Sequence, residues 1–323
     1  MRALVFRGPW DLEVQQRPDP EPGPGEVVVN LIATGICGSD LHGYTGESGR
    51  RSPGQVMGHE TVGRRADDGS LVTIQPVIAC GDCDSCAVGA GQRCRRRKVI
   101  GVAPEIDAAF ADAIVVPERN LVPVPDNVPA EFGALVEPLS VGYHAVLRGQ
   151  VGPSDDVLVI GGGPIGQACV LGALREGAER ITVSEPQPER RRLLATLGIE
   201  AVPPDQLDST RPGATVVLDA VGSSGSLADA LARCQGGGRV VLVGMHQPQV
   251  EVAAYAVSTE ERTLIGSFCY TEREFFDTAA WVGSGAPDLS GLIEGRVSLD
   301  DSPEVFRALA AGENQASKVL VTL

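Results

Sequence analysis

The sequence predicts an α/β protein in which a doubly wound parallel sheet accompanies an irregular β-barrel. Three observations carry that expectation. The chain has 323 residues, long enough for two hydrophobic cores. Near Ser154 the pattern changes from short strands broken by Gly and Pro to regularly alternating strand and helix. The first strand-to-helix junction after that change carries the turn Gly161-Gly162-Gly163-Pro164-Ile165-Gly166.

In the first half, residues 27–33 read as a mostly apolar strand ended by the turn at Gly35. Asp67-Asp68-Gly69-Ser70 lies between apolar runs and predicts a hairpin. Residues 110–117 form a further strand, followed by the connection Pro123-Val124-Pro125-Asp126. In the second half, strands at 157–160, 181–183, 216–218 and 240–243 alternate with helices at 165–176, 189–197 and 227–232. Beyond about residue 270 the pattern becomes mixed again. The expected domains are 1–145, 146–270 and 271–323.

Composition narrows the function. Hydrophobic residues make up 43% and charged residues 21%, an ordinary globular balance, while aromatics at 4% leave the cores to Val, Leu, Ala and Ile. A net charge of −15 argues against nucleic acid or an anionic membrane as main partner. The basic run at Arg93 and Arg95–Lys98 reads as a solvated loop. The apolar run at residues 3–6 is too short for a signal-peptide core, and no stretch approaches the roughly 20 apolar residues of a membrane span. A cytoplasmic location is expected, where clustered thiols read as metal ligands rather than disulfides.

Gly161, Gly163 and Gly166 satisfy G-x-G-x-x-G. The first glycine permits a tight turn, the second a close approach of pyrophosphate to backbone, and the third close packing of helix on sheet. Pro164 and Ile165 open the helix, whose free amides and dipole favour phosphate. Such a motif alone is weak. Here it sits between a strand and a helix, and Glu185 follows at the end of the next strand, where an acid accepts the adenosine ribose hydroxyls and repels a 2′-phosphate. Arg190 and Arg191 could meet a 2′-phosphate or simply face solvent. NAD is expected ahead of NADP.

Cys80, Cys83, Cys86 and Cys94 have the spacing C-x₂-C-x₂-C-x₇-C. Four thiolates in one loop can close a tetrahedral shell around zinc with no open position, which makes the site structural.

These features share the chain with Gly35-Ile36-Cys37-Gly38-Ser39-Asp40-Leu41-His42, Gly58-His59-Glu60 and Glu137-Pro138-Leu139-Ser140-Val141. Together they resemble the zinc-containing medium-chain dehydrogenases/reductases, especially the sorbitol and threonine dehydrogenase branch. The resemblance spans nearly the whole chain. It implies a GroES-like catalytic barrel, made from the N-terminal half and the C-terminal tail, around a Rossmann domain. It also implies a second, catalytic zinc on Cys37, His59 and Glu137, with Glu60 as an alternative or exchanging ligand.

One thiolate, one imidazole and one carboxylate leave a fourth position open, and zinc there acts as a Lewis acid that helps an alcohol ionise before hydride passes to nicotinamide. Ser39 and His42 match the family's proton relay, and Lys318 its basic residue on the pyrophosphate. Tyr44 either lines the substrate cleft or packs. His144 is expected beneath the site, His246 in the loop after the fifth Rossmann strand, and Cys169, Cys234 and Cys269 in cores.

The resemblance implies a small hydroxylated or carbonyl substrate, a secondary alcohol or polyol above all, and a homodimer or homotetramer. A mainly NADPH-dependent carbonyl reductase and a non-enzymatic zinc- and nucleotide-binding relative are the competing readings. Only residues 61–79 separate Gly-His-Glu from the cysteine loop, a shorter run than the family usually carries. A barrel segment is therefore expected to be trimmed relative to the family.

Overall fold

The computed structural model describes residues 1–207 and 213–323. The chain forms two compact units, one made of Met1–Glu137 with Thr271–Leu323, the other of Pro138–Tyr270.

The first unit is built on a seven-stranded sheet in the order Gly295–Ser298, Val319–Thr322, Glu26–Gly35, Glu60–Arg65, Leu71–Ile74, Leu121–Pro123, with Ala113–Pro117 also pairing Glu26–Gly35. The ten-residue strand Glu26–Gly35 organises the rest. One edge pairs antiparallel with Glu60–Arg65. The other takes Ala113–Pro117 along Glu26–Asn30 and the C-terminal strand Val319–Thr322 along Ala33–Gly35. That second pairing is why the last residues of the chain belong with the first.

The expected hairpin joins Glu60–Arg65 to Leu71–Ile74. Asp68 Oδ1 accepts from Ser70 N–H at 2.9 Å, an aspartate holding its own turn. The strand expected at 110–117 begins only at Ala113. Phe110 and Ala111 instead meet the N-terminal strand: Leu4 N–H donates to the Phe110 carbonyl at 2.8 Å, and Ala3 bridges Ala111.

Phe110 is fully buried against Phe306, with ring centroids 5.4 Å apart at 88°. Tyr44 packs on the same Phe306 at 5.8 Å, and its hydroxyl donates to the Trp10 carbonyl at 3.2 Å. Tyr44 is thus a core residue, and edge-to-face aromatic packing accounts for it.

The second unit holds a six-stranded parallel sheet in the order Glu200–Val202, Arg180–Ser184, Asp156–Ile160, Ala214–Asp219, Cys234–Leu242, Thr263–Gly266. Numbered along the chain this is 3-2-1-4-5-6, the doubly wound dinucleotide-binding order. Its inner strands are apolar on both faces. Val157, Val159, Val216 and Leu218 enter one core, while Leu158, Ile160, Val217 and Val240 enter the other. Alternate side chains of one strand point to opposite faces, so a strand covered by helices on both sides reads as an unbroken apolar run. The outer strands Glu200–Val202 and Thr263–Gly266 are only partly buried and had no such run to announce them. Among the described residues no helix is long and apolar enough to cross a membrane.

Candidate metal centres and nucleotide turn

The loop from Cys80 to Cys94 folds around the short helix Asp84–Ala87 and the turn Gly91–Arg93. It brings all four sulfurs within 4.8 Å of one another. Individual pairs lie at 3.4 Å (Cys94–Cys80), 3.5 Å (Cys83–Cys86) and 3.8 Å (Cys80–Cys86). A tetrahedron with Zn–S bonds of about 2.3 Å has S···S edges of about 3.8 Å. The four thiols, all free, therefore fit zinc closely. Gly81 N–H and the Arg96 guanidinium both point at these sulfurs, at 3.4 Å to Cys86 and 3.2 Å to Cys80. Arg96 also pairs with Asp82. Part of the basic run is thus spent offsetting thiolate charge.

A second cluster gathers Cys37, His59 and Glu60, whose donor atoms also lie within 4.8 Å of one another. Cys37 sits at the N-terminal end of the helix Gly38–Tyr44, and its N–H donates to Asp40 Oδ2 at 3.1 Å. His59 follows Gly58, whose φ of +98° is a backbone conformation natural to glycine, and precedes the strand Glu60–Arg65. Gly35 lies between two neighbours in the sheet, Glu60 on one side and Leu320 on the other. Without a side chain there, Lys318 reaches across and donates from Nζ to Glu60 Oε2, and to the Ile36 carbonyl at 3.2 Å. A Cβ on Gly35 would lie 2.2 Å from Glu60 Oε2.

The grouping contains Glu60 and not Glu137. Glu137, in the first turn of the helix Val136–Arg148, is buried, and its charge favours the protonated forms of His59 and Lys318. Lys318, for which the resemblance implies a place on the cofactor pyrophosphate, has its ammonium buried beside Glu60. Burial penalises its charge, but Glu60, Cys37 and Glu137 outweigh that and hold its pKa above the usual lysine value.

Beneath the cluster lies Asp40, fully buried, with Oδ1 3.6 Å from His59 Nδ1 and 3.9 Å from Arg51 Nη2. Asp40 Oδ1, His59 Nδ1 and Arg51 Nε are buried without hydrogen-bond partners among the described residues. Burial disfavours a charged His59, yet Asp40, Cys37 and Glu137 raise its pKa well above the histidine value. These surroundings favour positive charge, as a metal cation requires. A thiolate, an imidazole and carboxylates are also a donor set that zinc accepts.

Ser39 and His42 lie three apart on the Gly38–Tyr44 helix, on neighbouring positions of its surface. Ser39 is exposed, and His42 Nδ1 is 2.8 Å from Glu47 Oε2. His144 is buried and His246 is exposed in the loop after Cys234–Leu242. Cys169 and Cys234 are core residues, whereas Cys269 is only partly buried. Asp40 and Arg51 went unmarked in the sequence. Asp40 sits inside the Cys37–His42 motif, but Arg51 lies in a polar loop and had no signal.

In the second unit, Gly161 has φ +93° and Gly163 precedes the helix Pro164–Arg175. A Cβ on Gly166 would lie 1.8 Å from the Gly161 carbonyl oxygen, so helix and turn meet as the motif requires. Glu185 is buried, with Oε2 accepting from Gly162 N–H and Oε1 from Gln187 N–H, each at 2.7 Å. Arg190 Nη1 is 4.0 Å from Glu185 Oε2. Arg191 donates to the Glu185 and Pro186 carbonyls at 2.8 and 2.6 Å. The bare turn, the helix N-terminus and the anchored acid fit a dinucleotide.

Comparison with known proteins agrees with both units. Residues 23–126 match the alcohol dehydrogenase GroES-like domain, and residues 164–284 match the zinc-binding dehydrogenase domain. A Neosartorya fischeri protein named "Probable D-xylulose reductase A" is 32% identical, over 96% of this chain and 94% of its own. Among solved structures, a zinc-binding dehydrogenase from Sinorhizobium meliloti 1021 bound to NADP superimposes with a TM-score of 0.91 at 29% identity, covering 100% of this chain and 99% of its own. An alcohol dehydrogenase from Escherichia coli CFT073, complexed with NADH, gives a TM-score of 0.91 at 26% identity with the same coverage.

Proposed function

Since the chain belongs to the zinc-binding alcohol dehydrogenase family and is an oxidoreductase of the alcohol and polyol type, we propose that it interconverts a secondary alcohol or polyol and its ketone with NAD, using Cys37 and His59 as ligands of a catalytic zinc. The observation that carries this reading is the gathering of Cys37, His59 and Glu60 donor atoms within 4.8 Å. Zinc bound there supplies Lewis-acid polarisation of the substrate oxygen.

Glu60 and Glu137 compete for the place of third ligand. Glu60 is closer but engaged by Lys318. Glu137 would therefore serve as the third ligand while Lys318 holds Glu60, with Glu60 as the alternative ligand. The proton released from substrate passes by Ser39 to His42. With Glu47 accepting from Nδ1–H, the basic lone pair of the neutral His42 ring belongs to Nε2. The Cys80–Cys94 cluster holds a second zinc whose role is structural.

The reading of NAD rests on Glu185. Its carboxylate is fixed by two backbone amides, and Arg191 is turned onto backbone carbonyls. A 2′-phosphate would meet an immobile anion there, whereas ribose hydroxyls would find acceptor lone pairs. Glu185→Ala is expected to weaken NAD about tenfold, a loss of about 1.4 kcal/mol, and to leave NADP equal or tighter. Titrations of both cofactors by nicotinamide fluorescence check it; an unchanged preference would remove Glu185 from the role.

The free thiols suit a reducing cytoplasm. The edge strand Thr263–Gly266 suits pairing with a second copy, as a homodimer or a pair of dimers. The function is tested with a panel of vicinal diols, sugar alcohols, cyclitols and amino alcohols followed by nicotinamide absorbance, before and after chelation. Turnover that chelation abolishes supports the reading. No turnover across the panel and its ketones, at full zinc and cofactor occupancy, would oppose it.

A further inference from the structure

Arg51 is a buried cation in a place where the chain has every opportunity to keep it in water. Arg50, Ser52 and Pro53 around it are exposed, yet its side chain is 3% exposed. The guanidinium turns inward, with Nη2 3.4 Å from the Ser39 carbonyl and 3.9 Å from Asp40 Oδ1. Gly43 on the facing helix makes the room: a Cβ there would come within 2.8 Å of Arg51 Nε and 2.9 Å of its Cγ. Burying a guanidinium is costly unless an anion meets it. The anion present is Asp40, itself fully buried, whose Oδ2 accepts from Cys37 N–H. Its Oδ1 stands between Arg51 and His59 Nδ1.

We propose that Arg51 is a positioning residue of the Cys37–His59 metal centre, holding Asp40 so that its Oδ1 receives His59 Nδ1–H and presents Nε2 to the ion. The inference rests on the reading of Cys37 and His59 as zinc ligands. A carboxylate behind a ligating histidine fixes ring orientation and tautomer, and removing such a partner costs 10–100-fold in metal affinity. Arg51 acts one step further out, through Asp40. The opposing effect is repulsion between a guanidinium and a dication nearby, which by itself would make removal of Arg51 tighten the site.

The two effects predict opposite signs, so zinc affinity separates them. The experiment measures zinc release from both sites of the full chain by competition with a chromogenic chelator, for the native protein, Arg51→Met, Arg51→Lys, Asp40→Asn and Arg51→Met with Asp40→Asn. The expected result for Arg51→Met is about 10- to 100-fold weaker binding at one site, with the tight site at Cys80–Cys94 unchanged. Arg51→Lys should recover part of the loss, since lysine keeps the charge but not the fork. In the Asp40→Asn background, Arg51→Met should change affinity less than about twofold, because the two act in series.

Unchanged or tighter binding in Arg51→Met, or a full loss persisting in the Asp40→Asn background, would overturn the proposal. Loss of both zincs from Arg51→Met would mean misfolding, and Arg51→Lys then decides by the same criterion of weaker or unchanged binding. A native protein that holds a single zinc would instead refute the underlying reading, whatever the variants do.

Discussion

Cys37→Ser is expected to lower kcat/KM by about a thousandfold, while nucleotide binding and thermal stability stay near native values. Lewis-acid stabilisation of developing charge is worth several kcal/mol, and about 4 kcal/mol corresponds to three powers of ten in rate. The substitution removes one sulfur ligand from the Cys37, His59 and Glu60 grouping and touches neither the sheet nor the glycine-rich turn. Steady-state kinetics on the best substrate of the panel, with NAD affinity measured separately, checks it. A variant that keeps even a tenth of native kcat/KM would place the chemistry elsewhere.

Cys94→Ser is expected to do the opposite. Cys94 is fully buried, its sulfur lies 3.4 Å from Cys80, and it anchors the end of a loop with little apolar core of its own. An ion that binds only the folded loop, present at a thousand times its dissociation constant, stabilises by about 4 kcal/mol. Against a total stability of roughly 5–15 kcal/mol that is a large share. The transition of the first unit should fall by about 10 °C, taking roughly 2–4 °C per kcal/mol for a body of this size. Freshly purified protein assayed well below that transition should retain most of its activity. Differential scanning calorimetry beside kinetics at low temperature separates the two effects. A loss of kcat with no loss of stability would mean that the cluster takes part in chemistry.

The two candidate metal centres were not equally legible in the sequence. The four-cysteine cluster lies within a single loop, so spacing alone announced it, and the sulfurs gather as that spacing required. The other cluster draws Cys37 and Glu60 from ends of strands that pair through Gly35, a contact local sequence does not show. The nucleotide turn was legible because strand, glycines, helix and acid follow one another directly. The strands Glu200–Val202 and Thr263–Gly266 were missed because edge strands bury one face or none and lack an apolar run.

The pairing of Lys318 with Glu60 was not legible, because the neighbours of Lys318 in sequence say nothing of Glu60. The sheet brings the two together across 258 residues of chain. Arg51 was hidden for a related reason: three exposed neighbours make it look solvated, and only the gap over Gly43 turns it inward.

The proposed chemistry depends on two zinc ions with unequal roles. The direct measurement is zinc per chain, by mass spectrometry of the acid-digested protein, for the native chain and for Cys37→Ser. Two and one are expected, with the remaining ion released only when the Cys80–Cys94 thiols are titrated. One ion in both proteins would contradict this, leaving a structural zinc and no metal at Cys37 and His59.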